Sequence, residues 1–285
     1  MSYWHTKAQK HARRILLRLS IGESVNGVTA PGGFHVPQSL KLFSTDSSKV
    51  VKGEKRKILT GILYLAPDTS GEVYRNGKLL DVCPWSTDGC RAGCLVGSGQ
   101  MRWDSSANSR RWKTALYATD KGLFGDLIHH ESHALQRRAD RLGYKLALRL
   151  DGTSDLGLAD LYRDRLPSDA MAYDYTKSVK RILAYDGREN RHLTFSVSEA
   201  PDSPEGTRAA LDKGLSAAVS VPATSKPDTH RLTRAVLGED RPYTYVADGD
   251  IDDARYRDEP GSIVYLGVKG GRDAHRRLGG MVFDV

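Results

Sequence analysis

The sequence predicts an α/β protein, built on a partial (β/α) barrel-like parallel sheet with a basic N-terminal extension. Three observations predict it. From residue 58 onward, short apolar runs of strand length alternate with helical or loop segments, the pattern of parallel strands joined by crossovers. Polar residues gather just after successive strands, at the end where the loops of a β/α barrel converge over its mouth. No Gly-rich phosphate loop follows the first strand, which weighs against an open doubly wound sheet.

Residues 1–57 form the expected extension, and residues 58–285 the barrel-like domain. Residues 4–20 read as a basic amphipathic helix with Ile15, Leu16 and Leu19 on one side. Loops with Pro31-Gly32-Gly33 and Pro37 follow, and then a basic run from Lys52 to Lys57. The extension reads as a solvated segment, an arm over the main domain or a polyanion-binding tail. Residues 58–66 have the length and composition of a buried strand. Asn76-Gly77 predicts a tight turn between residues 72–75 and 78–82, hence a small hairpin. Ser105 or Ser106 is placed to cap a helix running to about residue 119. Residues 122–142 carry Leu123, Leu127, Ile128, Leu135 and Leu142 at helical spacing, and Gly143 ends the helix. Six further strands are expected at 145–150, 170–173, 192–197, 216–221, 243–247 and 263–268. A helix at 203–213, with Ser203 as cap and Pro204 in its first turn, separates two of them.

A chain of 285 residues has room for a large core, and its 39% hydrophobic and 27% charged residues describe a soluble globular class. No stretch approaches the roughly 20 apolar residues of a membrane span. The start lacks the pattern of a secretory signal, so the expected compartment is the cytoplasm. A net charge of +8 favours polyanion contact, which makes nucleic acid a candidate partner beside a small-molecule or nucleotide substrate.

All three cysteines fall within residues 83–94, in the segment CPWSTDGCRAGC. An odd number makes a poor disulfide framework, and thiols clustered in a cytosolic chain read as metal ligands. Cys83, Cys90 and Cys94 suit a four-iron cluster with one iron left open. Zinc is the alternative, and it needs a fourth ligand such as His129, His130 or His133. Unligated thiols are a third.

Further candidates lie at the strand ends. Asp151, Thr153, Ser154 and Asp155 suit contact with a ribose, an amine or a metal. Tyr175 and Lys177 offer a phenol and an ammonium for acid–base work, and Ser198 and Glu199 a hydroxyl and a carboxylate. Asp248, Asp250, Asp252 and Asp253 form an acidic patch near Arg255. For each, helix capping or turn chemistry is the competing role. The run His129-His130-Glu131-Ser132-His133 is not spaced like a zinc-protease helix and reads as an exposed helix face. Arg102, Trp103, Arg110, Arg111, Trp112 and Lys113 interleave charge and aromatics, a pattern that suits phosphate contact and base stacking or else seats the cysteine loop.

With its cysteine loop after the first strand and about six β/α units beyond it, the chain resembles the radical S-adenosylmethionine enzymes. The loop spacing here is C-x6-C-x3-C, against C-x3-C-x2-C in those enzymes. The resemblance implies a [4Fe-4S] cluster on Cys83, Cys90 and Cys94, with S-adenosylmethionine bound at the open iron and cleaved to a 5′-deoxyadenosyl radical. It also implies cofactor-side contacts from Asp151, Thr153, Ser154, Asp155 and Ser198, with Tyr175, Lys177 and Glu199 as catalytic candidates. The segments CPWSTDGCRAGCL and RLDGTSDL are similar to a functionally uncharacterised bacteriophage protein family, which implies a phage gene and the host cytoplasm.

Overall fold

The structure, a computed structural model, describes residues 3–45, 56–97, 99–223, 227–238, 245–268 and 277–283. Part of the basic run at 52–57, Thr224 and Tyr243 lie outside the described residues. The chain divides into two compact units. One contains residues 1–47, 57–84 and 95–170; the other contains 48–56, 85–94 and 171–285.

The first unit begins with α1 (Tyr3–Ser20). Its apolar stripe of Ala12, Ile15, Leu16 and Leu19 is buried. The helix packs on α4 (Asp104–Thr119) and α5 (Lys121–Leu142). The segment read as an extension therefore supplies a helix to this unit's core, because the stripe is apolar enough to need covering. Strand β2 (Phe43–Ser44) runs antiparallel to β3 (Ile58–Leu63), and β3 runs parallel to β6 (Lys145–Arg149). The Asn76-Gly77 turn joins β4 (Tyr74–Arg75) to β5 (Lys78–Leu79), with φ of 51° and 76°. Such positive angles match the twist of a two-residue hairpin. Strand β1 (Val28–Thr29) completes a small antiparallel sheet with them. The Asp120 carboxylate caps α5 through Leu123 N–H at 2.9 Å, and Gly143 closes it at φ 66°.

The second unit carries β7 (Met171–Thr176), β8 (Arg191–Ser196), β9 (Ala217–Val221), β10 (Tyr245–Asp248) and β11 (Ser262–Gly267). All pair in parallel, in the order β7-β8-β9-β11-β10. Chain order is kept as far as β9. There β11 inserts between β9 and β10, an order that sequential strand counting does not anticipate. Helices α7 (Val179–Leu183), α8 (Ser203–Asp212) and α9 (Thr229–Leu237) make the forward crossovers. Their apolar residues share a core with Leu193, Phe195, Ala217, Val219 and Ile263. The step from β10 back to β11 runs in the opposite direction. A right-handed connection must then cross the opposite face of the strands. Gly249 shows this passage: a Cβ there would lie 2.6 Å from Val264 and Leu266 side-chain atoms, which belong to that face.

The α/β class and the parallel strands thus match expectation. Among the described residues, no helix is long and apolar enough to cross a membrane.

Candidate functional site

The cysteine loop begins in the first unit. Val82 is buried, and its carbonyl accepts the Asp155 N–H at 2.9 Å, joining the loop to the carboxyl end of β6. Cys83 N–H donates to the Asp81 carboxylate at 2.7 Å, and the Cys83 thiol meets the Thr153 carbonyl at 3.4 Å. Close approach sets this junction. Gly152 N–H donates to the Leu63 carbonyl, and a Cβ at Gly152 would sit 2.7 Å from that oxygen.

The other two thiols belong to the second unit, on and just after α3 (Asp88–Ala92). The Thr87 hydroxyl caps α3 by accepting Cys90 N–H at 3.2 Å. The Glu199 carboxylate, just beyond β8, accepts Gly89 N–H at 2.7 Å. Gly89 and Gly93, four residues apart, lie against the 277–283 segment. A Cβ at Gly93 would come within 2.3 Å of the Leu278 side chain, and one at Gly89 within 2.6 Å of its carbonyl. Glycine is the residue that permits this seating. Cys90 and Cys94 are also four apart, one step further round the helix.

None of the three cysteines forms a disulfide among the described residues, and all three are half-buried. Their donor chemistry fits an iron–sulfur cluster, since three thiolates leave one iron open. Among the described residues, no group of three or more His, Cys, Asp or Glu side chains is disposed to hold a metal ion. Of the histidines of α5, His129 lies against His133 with ring centroids 4.3 Å apart and tilted by 50°, and its Nδ1 meets the Arg165 carbonyl at 3.1 Å. Burial first, then the neighbouring His129, Arg137 and His130, holds His133 below the usual imidazole range.

The strand-end residues divide into two kinds. Asp151 is buried and fully engaged. It accepts the Ser154 hydroxyl at 2.6 Å, Leu156 N–H at 3.2 Å, and Gly157 and Leu158 N–H at 2.9 Å. It thereby closes the turn into the short helix α6 (Leu158–Leu161). The Thr153 hydroxyl is committed to the Leu65 carbonyl, and Ser198 to the turn through Ala200 N–H and Ser203. For Asp151, Ser154 and Ser198 the geometry is that of caps and turns. Glu199, expected to be catalytic, here anchors α3. The second kind faces outward from the strands: Lys177 Nζ donates to Ser196 Oγ at 2.9 Å, and Tyr175 OH to Asp253 at 3.3 Å.

The acidic patch is likewise built into packing. Arg255 is buried between Asp252 at 3.4 Å and Asp258 at 3.2 Å, and Asp253 also receives Tyr173 OH at 3.1 Å. Among the interleaved basic and aromatic residues, Arg110, Trp112 and Lys113 are buried in the first unit. They lie on the packed side of α4, so base stacking by Trp112 is replaced by core packing; Trp103 remains exposed. Burial lowers Lys113 to about 8.

A further polar group lies within the strands and not at their ends. Along β8, Leu193 and Phe195 face the helices, while His192, Thr194 and Ser196 face the other way. Tyr173 and Tyr175 of β7 stand in register beside His192 and Thr194. Thr194 is wholly buried and its hydroxyl has no hydrogen-bond partner; His192 Nε2 is buried and has none either. Burial, and then Arg191 and Arg255, lowers His192 to about 4, so the ring is neutral. The signal was present in the sequence as the alternation Arg191-His192-Leu193-Thr194-Phe195-Ser196. A parallel strand covered on both faces is usually apolar throughout.

Fold and loop together define an α/β protein with parallel strands and a three-thiol loop tied to their carboxyl ends. The family model described as gene product 88 matches residues 41–279. The chain belongs to the gene product 88 family, in keeping with its resemblance to an uncharacterised bacteriophage family. No curated protein and no solved structure matches the chain.

Proposed function

We propose that this protein is an iron–sulfur enzyme resembling the radical S-adenosylmethionine enzymes, acting on a nucleotide or nucleic acid, with Cys83, Cys90 and Cys94 as cluster ligands. The observation that carries the reading is the attachment of the loop. In the first unit Cys83 meets the turn after β6, and in the second Glu199 holds the helix of Cys90 and Cys94 at the end of β8. Loops at the carboxyl ends of parallel strands are where β/α folds place their chemistry. When bound, the cluster would supply the electron that cleaves S-adenosylmethionine to methionine and a 5′-deoxyadenosyl radical. Glu199 and Thr87 orient α3, and Asp151 and Ser154 hold the loop that Cys83 touches. Asp155, Tyr175 and Lys177, at the strand ends, are suited to cofactor or substrate contact. The basic charge of +8 supports a phosphate-bearing substrate.

The test is to load the protein anaerobically, add dithionite and S-adenosylmethionine, and measure 5′-deoxyadenosine. The reading expects product from the wild type and none from Cys90→Ala. No product from a fully loaded cluster rejects the S-adenosylmethionine mechanism.

A further inference from the structure

Helix α1 contributes no cysteine ligand, and it carries a surface that its packing leaves unused. It contains five Lys and Arg residues and no Asp or Glu. Its apolar stripe of Ala12, Ile15, Leu16 and Leu19 is buried, and the helix packs on α4 and α5. Away from that stripe, Lys7, Lys10, Arg14 and Arg18 are exposed. They follow one another at steps of three, four and four residues, so they form one row along the helix.

The row is fixed in direction. The Gln9 side chain exchanges two hydrogen bonds with the Leu40 backbone, at 2.8 and 2.9 Å, and Arg13 donates to the Pro37 carbonyl at 3.1 Å. These bonds and the buried stripe set the roll of α1 about its axis, which holds the row outward. Lys41 is exposed and next in sequence to Leu40, so it adds a cation beside the helix.

Such a row works against the helix. Like charges three or four residues apart repel, and a well-solvated surface intersperses both signs. Arg18 is met by Glu23 at 2.6 Å, beyond the helix end, but α1 has no acidic residue of its own to alternate with the other three. A polyanion relieves the repulsion. The row spans about 16 Å at about 1.5 Å per residue. One strand of a duplex presents about five phosphates over that length. Residues 7–18 contain no Phe, Tyr or Trp on which unpaired bases could stack, so the face suits the outer phosphates of a duplex and not a single strand. A membrane fits less well, because the apolar stripe that would enter it is already buried.

We propose that this face of α1 binds the phosphate backbone of a nucleic-acid duplex without regard to sequence. It is a binding surface outside the thiol loop, so it stands or falls separately from the cluster.

The experiment is equilibrium binding of the full chain to duplex DNA, duplex RNA, single-stranded DNA and phosphatidylserine vesicles, over about 50–200 mM salt. A duplex should bind most tightly, with log K falling against log salt at a slope of about −3 to −4, as for about four phosphate contacts. Lys10→Gln combined with Arg14→Gln should weaken duplex binding about tenfold or more and reduce the slope by about 2. Removing two exposed charges from α9 instead, by Arg231→Gln with Arg234→Gln, should weaken it about twofold at most, since charges outside the contact surface are screened. Glutamine is a good helix former and ends the repulsion, so the α1 variant should melt no lower than the wild type. Failure to bind either duplex, tighter binding of single strands or vesicles, unchanged binding by the α1 variant, equal losses from the α1 and α9 variants, or a lower melting temperature for the α1 variant would each overturn the proposal.

Discussion

Asp151 and Thr194 are both buried and polar, both on parallel strands or at their ends, and they have opposite fates. Asp151 spends its carboxylate on four donors within its own turn. Thr194 and His192 Nε2 leave theirs unspent. A buried polar residue whose bonds all close locally is holding the chain. One whose bonds remain open costs stability. Asp151, Ser154 and Ser198 make the bonds of caps and turns, whereas the polar face of β8 leaves atoms unbonded.

The comparison can be broken most forcefully at Asp151. Asp151→Ala removes an acceptor from four donors and leaves three backbone amides unpaired, at an expected cost of about 3–5 kcal/mol in denaturant unfolding. A loss below about 1 kcal/mol would mean that the carboxylate is not the keystone of this turn.

His192 comes next. Its folded value of about 4 lies below the ordinary 6.5, so the folded state disfavours the protonated ring. Its stability is therefore complete above pH 6.5 and declines as the pH falls towards 4, by an amount of the order of 3 kcal/mol. Urea titrations across that window should show the decline, and His192→Asn should flatten it. An unchanged slope in the variant would assign the acid sensitivity elsewhere.

Thr194→Val sharpens the contrast from the other side. Removing an unpartnered buried hydroxyl should stabilise the chain by about 1 kcal/mol, measured by the same unfolding curves. The smallest effect is expected at Glu199, whose carboxylate is exposed. Glu199→Ala should cost about 0.5–1 kcal/mol. Its clearer readout is faster proteolysis within residues 88–94, where Gly89 N–H loses its acceptor. Unchanged cleavage would show that the glycine contacts with Leu278 suffice to seat α3.

Much of the scaffold was legible beforehand. The Asn76-Gly77 hairpin, the long helix ended by Gly143 and the parallel strands all follow from local chemistry, because turn residues and hydrophobic period act over a few positions. The insertion of β11 between β9 and β10 was not legible. Both strands are short and apolar, and lateral order depends on which face a connection crosses. The burial of α1 was half legible: Ile15, Leu16 and Leu19 announced a stripe but not what covers it. At the site, the cysteine loop and the polar strand ends stood out. What could not be read was commitment. Asp151 has the same letter as a catalytic aspartate, and only its donors reveal a cap. The β8 alternation was visible, but attention to strand ends passed over a polar face inside the strand.

The central claim is that the three thiols of residues 83–94 hold one iron–sulfur cluster. Iron and acid-labile sulfide per chain, measured on protein purified without oxygen, test it most directly. The account predicts about four of each per chain, with a brown absorption that is lost in Cys83→Ala, Cys90→Ala and Cys94→Ala alike. Zinc in their place, or iron unaffected by those substitutions, would contradict it.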